Sequence, residues 1–523
     1  MFLKIFLLVL FFAVSIGVGV YCRKSTNSVQ GFVLGGRKVG SWLTAFAFGT
    51  SYFSAVIFVG YAGQFGWKYG LASTWIGIGN ALIGSLLAWR ILGRRTRLMT
   101  QHLSSATMPD FFGKRFSSNS LKVIASIIIF VFLIPYTASL YNGLSRLFGM
   151  AFGIDYSWCV IGMAVLTAIY VLVGGYMATA INDFIQGIIM LVGIAAVVLC
   201  VLHGNGGFSA AVASLSQVPC ETAPALGGAF VSFFGPQPLF LLGVVMLTSL
   251  GTWGLPQMVG KFYAIRDEAA IRKGTVISTL FAFVVAGGCY FLGGFGRLYS
   301  DVIEYIAPGK PVYDSIIPSM LATLPDIMIG IVIVLVLSAS MSTLSSLVLT
   351  SGSTLTLDII VPAVRKEMGE RSKINVIRLL VLFFIVISSI LAIVQAKSSV
   401  TFIAQLMGIS WGALAGAFLA PFLWGLYWEK TTPVSVMASF VVGVGIMCAS
   451  MFCTFTGRVF ICPFLNSPIN AGVLAMIAGL VIVPLVSLFT KVREPEKISA
   501  MFESYNNRVT VRATDALASS DES

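Results

Sequence analysis

The sequence predicts an all-α, polytopic membrane protein with about 13 transmembrane helices. Three observations carry that prediction. Of the 523 residues, 57% are hydrophobic and only 10% are charged, whereas a soluble domain carries about 25% charged residues. Apolar stretches long enough for a hydrocarbon core of roughly 30 Å recur along the whole chain. These stretches are far longer than barrel strands, and backbone groups cannot be left unpaired in lipid, so each must be a helix.

Taken in order, the expected spans are 1–22, 41–67, 72–92, 121–148, 156–173, 183–203, 238–262, 274–297, 326–357, 376–396, 399–427, 433–454 and 467–489. The first could be taken for a cleaved signal. It has a single early Lys4, its positive cluster follows the apolar run, and Tyr21 spoils Gly19-Val20-Tyr21-Cys22 as a lipoprotein site, so an uncleaved span is expected. Asp110 to Lys122 is expected to form a short helix, with Pro109 at its start. Residues 204–236 and 300–325 form the longer loops, and Tyr313 to Leu324 is expected as a surface helix. Residues 1–490 make one membrane domain, and residues 491–523 form a polar tail, expected to be partly disordered.

The net charge of +13 could suggest a nucleic-acid partner, but its distribution argues for a membrane. With the N-terminus outside, about 26 of the 33 Lys and Arg fall on one side of the alternating spans, including Lys261 in the loop set. That side is cytoplasmic by the positive-inside rule. The expected setting is a multi-pass protein of the plasma membrane, C-terminus in the cytoplasm, with the lipid bilayer and a small solute as partners. Neither a nucleic acid nor an obligate protein partner is expected. The eight cysteines are scattered without a CxxC pair, and the two histidines, His102 and His203, lie far apart. That pattern argues against a His/Cys metal site, a catalytic triad or any enzyme. Cys220 and Cys462 fall on the same expected side, with nothing to say that they pair.

The chemistry concentrates in Leu337-Ser338-Ala339-Ser340-Met341-Ser342-Thr343-Leu344-Ser345-Ser346. An apolar span needs no hydroxyls to enter a bilayer. They serve either close helix packing or a site where hydroxyls and freed carbonyls replace the water of a small hard cation. Two spans look interrupted. One carries Gly49-Thr50-Ser51-Tyr52-Phe53-Ser54, with Gly60 and Gly63 beyond; the other carries Gly251-Thr252-Trp253-Gly254-Leu255-Pro256-Gln257. Proline removes a donor and clashes with the preceding turn, and such breaks survive at membrane depth only inside protein or along a wet cavity. They lie five spans apart, the spacing expected of an inverted-repeat transporter. Ordinary kinks are the plainer alternative. No row of buried carboxylates offers a proton relay, which favours Na⁺ over H⁺.

Four motifs, in order, resemble the sodium:solute symporter family. They are Gly31-Phe32-Val33-Leu34-Gly35-Gly36-Arg37, Gly174-Gly175-Tyr176 through Asp183-Phe184-Ile185-Gln186, Pro256-Gln257 with Lys261-Phe262-Tyr263-Ala264, and Met341-Ser342-Thr343-Leu344-Ser345. The resemblance spans roughly residues 5 to 490 and implies a leucine-transporter-type five-plus-five inverted repeat with broken helices. Repeat one would cover about 41–203 and repeat two about 238–427. It implies a Na⁺ site of Ser342 and Thr343 hydroxyls with the Ala339, Thr50 and Phe53 carbonyls. Residues 339, 342 and 343 share one helix face, and neutral oxygens suit a monovalent cation. Asp183 matches a family carboxylate linked to Na⁺ release; it also reads as a helix N-cap, because Asn182-Asp183 opens the expected sixth span.

The expected activity is Na⁺-coupled import of a small organic solute by alternating access, with Na⁺ as coupling ion and no organic cofactor. Tyr136-Thr137-Ala138-Ser139 and Arg146-Leu147-Phe148 resemble the proline branch. Tyr52 stands where proline-type members place an aspartate, and Ser51-Tyr52-Phe53-Ser54-Ala55 with Asn182-Asp183 points to pantothenate and monocarboxylate members. The solute is therefore expected to be a carboxylate or an amino acid. Ser54, Tyr136, Trp253 and Gln257 are the candidates for its cavity, although Trp253 equally suits a lipid anchor. A transporter-like sensor is the rival function, disfavoured by a short tail. A channel lacks a ring-forming filter motif.

Overall fold

The structure, a computed structural model, describes residues 2–23, 28–307, 309–364, 368–396, 403–507 and 509. Among them, ten helices are long and apolar enough to cross a membrane, and a bent pair makes eleven. The expected 13 are not reached by that measure, for two reasons. Residues 56–102 count as one run, Val56–His102, although the chain turns inside it at Gly70 (φ 60°, ψ −140°), between the two spans expected there. The expected fifth span is a short apolar piece, Tyr156–Ile169.

The helices run α1 (Phe2–Cys22), α2 (Val29–Leu34), α3 (Ser41–Tyr52), α4 (Ala62–Tyr69), α5 (Thr74–Gly79), α6 (Arg94–His102), α7 (Met108–Arg115), α8 (Asn119–Phe152) and α9 (Tyr156–Gly204). After α10 (Phe208–Ser216) come α11 (Pro238–Leu250), α12 (Pro256–Tyr263), α13 (Glu268–Gly294), α14 (Ile316–Ala322) and α15 (Asp326–Leu355). The chain closes with α16 (Val361–Ala363), α17 (Glu370–Ala396), α18 (Ile403–Tyr427), α19 (Pro433–Phe455), α20 (Pro468–Phe489) and α21 (Pro495–Glu503). A hairpin of β1 (Tyr305–Ala307) and β2 (Lys310–Pro311) sits in the 300–325 loop.

Local chemistry explains the ends. Thr107 caps α7, accepting from the Asp110 N–H, and a proline follows in its first turn; the helix is shorter than the expected 110–122, ending at Arg115, and Lys122 already belongs to α8. The helix of the 300–325 loop is α14, preceded by a single tight turn at Tyr313–Ser315; it is not a surface helix, since Ile316, Ile317, Pro318, Met320 and Leu321 are buried. In the tail, α21 forms and buries Ile498 and Met501. The stretch 510–523 of the expected tail lies outside the described residues. Cys220 and Cys462 are free thiols.

One expectation is corrected by the path of α9. Helix six was expected to open at Asn182-Asp183, but the backbone stays helical from Tyr156 to Gly204, apart from Gly175 at φ 57° and ψ −157°. Only glycine takes that conformation without strain, so the chain turns there and resumes helix at Tyr176. Asp183 therefore lies two turns inside a helix, where no free N–H groups need a cap.

α15 sits at the centre, with nearly every residue from Ile329 to Thr354 buried, and packs on α8, α9 and α17. An all-round buried helix is one that neighbours cover on every side. The flanks of the two broken spans meet: the Val39 N–H donates to the Ala264 carbonyl at 3.2 Å, and the Arg266 N–H to the Val39 carbonyl at 3.1 Å. Around that end, buried arginines bond to carbonyls. Arg37 reaches Thr100 and Ser105, Arg97 reaches Ile265, and Arg115 reaches Gly425 and Trp428. Several charges counted as loop charges from sequence thus brace the arginine-rich end of the bundle.

Candidate functional site

The first break lies between α3 and the wide turn Val56–Tyr61. Phe53 leaves the helix at φ −101° and ψ 115°. The helical continuation would have the Ala55 N–H bond the Ser51 carbonyl. It donates instead to Ser340 Oγ at 3.3 Å. Ser54 restarts the helix, its carbonyl accepting from Ile57 and Phe58 at 3.0 Å each. The carbonyls of Thr50 and Ser51 are thereby released at the point where α15 crosses.

The hydroxyl run of α15 faces this break. Ser342 Oγ donates to Thr50 Oγ1 at 2.7 Å. The Thr343 hydroxyl lies 3.1 Å from the Ala339 carbonyl, 3.3 Å from that of Thr50 and 3.5 Å from that of Ser51. Ser346 Oγ and Ser51 Oγ are 2.8 Å apart. Four of the five residues expected to hold Na⁺ (Thr50, Ala339, Ser342 and Thr343) thus converge on one buried spot. Phe53 adjoins it at the break. Ser345 turns back onto its own helix, donating to the Ser342 carbonyl at 2.8 Å.

The solute candidates divide into two groups. Ser54 and Tyr136 come together: the Tyr136 hydroxyl faces Ser54 and Trp411, and neither hydroxyl has a hydrogen bond of ordinary geometry among the described residues. Tyr136 and Tyr52 both pack against the Trp411 indole at 5.8 Å, one edge-on and the other stacked. The Trp411 N–H is also without a partner among the described residues. Trp411 went unnoticed in the sequence because a tryptophan inside an apolar helix carries no signal of its own. Trp253 is committed elsewhere, its indole N–H donating to the Ile83 carbonyl at 3.0 Å. It is buried, which removes the lipid-anchor alternative. Gln257 lines a separate cavity with Lys261, Tyr176 and Ser346, and its amide has no partner there.

Asp183 is fully buried and its carboxylate lies 3.6 Å from Lys261 Nζ, itself only 4% exposed. Lys261 donates to Ser346 Oγ at 2.9 Å and stands 5.3 Å above the Tyr176 ring. Asp183 also faces Ser342. Lys261 was counted with the loop charges in the sequence; the signal available was its position inside the last turn of an apolar span. The pair sits next to the hydroxyl spot and connects it to the Gln257 cavity.

Three cavities lie along this axis. Near Ser54 and Ala339 the space is about 10 Å³, about one water. The Gln257 cavity at the arginine-rich end holds about 50 Å³. At the opposite end a vestibule of about 790 Å³ is lined by Asn142, Arg146, Tyr156, Glu304 and Asp314. The cavity space is smallest near the middle of the bundle and largest at the end away from the arginines.

A membrane bundle with two helices broken at mid-depth, one break facing a cluster of oxygens, has the build of a secondary transporter. The chain belongs to the sodium:solute symporter family, which it matches over residues 32–443. It is a multi-pass membrane protein that imports a solute coupled to Na⁺. Its relatives include the osmoregulated proline transporter OpuE of Bacillus subtilis (strain 168), 28% identical over 495 residues, covering 94% of this chain and 95% of that one. Another is the sodium/proline symporter of Salmonella typhimurium, 28% identical over 437 residues, covering 82% and 83%. A solved structure of a Na⁺-coupled sialic acid symporter, in a substrate-bound outward-open state, has the same fold. Its TM-score is 0.75 at 16% identity, covering 94% of this chain and 99% of that one. The fold is the leucine-transporter type.

Proposed function

We propose that this symporter imports a small amino acid, with proline the first candidate, using one Na⁺ site at the first break. The observation that carries the site is the convergence of the Thr343 hydroxyl on the Thr50 and Ala339 carbonyls beside the Ser342 hydroxyl. A dehydrated Na⁺ needs several oxygens in place of its water; the Ser342 and Thr343 hydroxyls and the Thr50 and Ala339 carbonyls supply four, and we assign the Phe53 carbonyl at the break as the fifth. Asp183 draws the ion off towards the cytoplasm. The solute lies against Ser54, Tyr136 and Trp411, which face one another without a hydrogen bond of ordinary geometry among the described residues. The names of the proline-transporting relatives support proline. Tyr52 supports a second reading, a monocarboxylate, because its hydroxyl is spent on the Thr248 carbonyl and it offers the cavity a ring instead of a charge.

The arginine-rich end is cytoplasmic and the 790 Å³ vestibule is external. Residues 41–203 and 238–427 form the two repeats that move against each other. Na⁺ binding favours the outward-open state, solute closes it, and Na⁺ release inside frees the solute. The test is uptake into proteoliposomes of labelled proline, pantothenate and short monocarboxylates, with and without a Na⁺ gradient. Proline uptake that needs external Na⁺ is expected. Equal uptake from choline buffer contradicts Na⁺ coupling, and uptake of a monocarboxylate alone selects the second reading.

A further inference from the structure

The Asp183–Lys261 pair lies deep in the protein, next to the oxygens assigned to Na⁺ but not among them. Asp183 makes no hydrogen bond of ordinary geometry among the described residues. A buried carboxylate left uncompensated is strongly unfavourable, so something must balance its charge. What balances it is the ammonium of Lys261, 3.6 Å away. The surroundings of that ammonium are the surroundings a free cation would choose. They comprise a carboxylate, the Ser346 hydroxyl at 2.9 Å and the face of Tyr176 at 5.3 Å. The Ser51 hydroxyl stands directly behind Ser346. Without Lys261, Asp183 with Ser342, Ser346 and Ser51 would form an oxygen-only pocket of net charge minus one.

We propose that Lys261 is a tethered cation that fills this second position, so that one Na⁺, and not two, accompanies each solute. This rests on the sodium site proposed above and adds a stoichiometry to it. The tether is placed to matter. Lys261 is carried by α12, the segment beyond the second break, while Asp183, Ser346 and Ser51 belong to α9, α15 and α3. Any movement of α12 away from the bundle pulls the ammonium off Asp183. It then leaves a bare carboxylate facing Ser342, one of the Na⁺ oxygens, which gives the bound ion a reason to leave in step with the opening.

The test uses the purified full-length protein. Radiolabelled Na⁺ is titrated to saturation, and the Na⁺-to-proline flux ratio is measured in proteoliposomes. Wild type is expected to bind one Na⁺ and to carry one per solute, and Lys261→Arg to keep both values. Lys261→Met frees the pocket and is expected to bind two. Lys261→Met with Asp183→Asn returns to one, because the charge that holds the second ion is gone. Two Na⁺ bound by wild type, or a single Na⁺ bound by Lys261→Met, overturns the proposal. The wild-type value decides the matter even if Lys261→Met does not fold. Wild type binding no Na⁺ would overturn the sodium site, and the proposal with it.

Discussion

The two broken spans use the same device for different ends. At the first break, the carbonyls released by Phe53 meet hydroxyls from α15, and Ser54 and Tyr136 keep polar atoms without partners. At the second, Gly251–Gly254 forms a tight turn, Leu255 is extended, and Pro256 begins α12 at a bend of 45°. The polar groups of that turn are spent on the scaffold. Thr252 Oγ1 lies near the Ser249 and Gly84 carbonyls, and Trp253 donates to Ile83. One break is built to hold something and the other to be braced and to bend. The partnerless Gln257 amide, one residue beyond Pro256, faces the inner cavity and not the turn.

The sharpest way to break this contrast is at the charge pair that joins the two regions. Asp183→Asn leaves Lys261 buried and unpaired, which should cost about 3 to 5 kcal/mol, seen as a lower unfolding temperature and lost turnover. Adding Lys261→Met should recover most of the stability. If Asp183→Asn alone unfolds like wild type, the pair is not what holds these helices together. Next in size is Gly254→Ala at the second break. A Cβ there would come within 2.7 Å of the Leu419 backbone nitrogen, so overpacking of about 1 to 3 kcal/mol is expected, with slower transport at unchanged Na⁺ affinity.

Smaller effects separate the two aromatic candidates. Trp253→Phe loses one scaffold hydrogen bond, about 1 kcal/mol, and should leave the KM for solute unchanged. Tyr136→Phe removes a hydroxyl that makes no hydrogen bond of ordinary geometry among the described residues, so it should cost less stability than Trp253→Phe while KM rises. A raised KM in Trp253→Phe but not in Tyr136→Phe would reverse the roles assigned to the two breaks. Ser345→Ala should change neither KM nor Na⁺ dependence, because among the described residues its hydroxyl donates to the Ser342 carbonyl of its own helix. Ser346→Ala is no such control, since Ser346 holds both Ser51 and Lys261.

Much of this arrangement was legible in the sequence because hydroxyls, glycines and a proline are conspicuous in apolar spans. The run 337–346 and both breaks announce themselves that way, and helical spacing alone puts 339, 342 and 343 on one face. What was not legible depended on tertiary contact. Gly174-Gly175 does mark a break in the helix, but the helix resumes at once at Tyr176, seven residues before Asp183, so Asp183 is not the cap it looked like. Lys261 looks like a loop charge, because nothing local says that α12 is drawn inward against Asp183. Trp411 meets Tyr52 and Tyr136 only once α18 is folded against the first break. Length and apolarity alone do not confirm the count of 13, because Gly70 and Gly175 turn the chain inside what that measure takes as single helical runs.

Na⁺ coupling at this position requires the first break to be an ion site and not merely a packed one. Ser342→Ala with Thr343→Val removes two hydroxyls and little volume. The most direct measurement is the Na⁺ concentration for half-maximal proline uptake by this double variant, at matched protein abundance in the membrane. The account predicts a rise of about tenfold or more, since losing one charge-bearing contact worth about 1.5 to 3 kcal/mol shifts an equilibrium by that order. An unchanged Na⁺ dependence, with only a modest drop in abundance, would assign these hydroxyls to helix packing and contradict it.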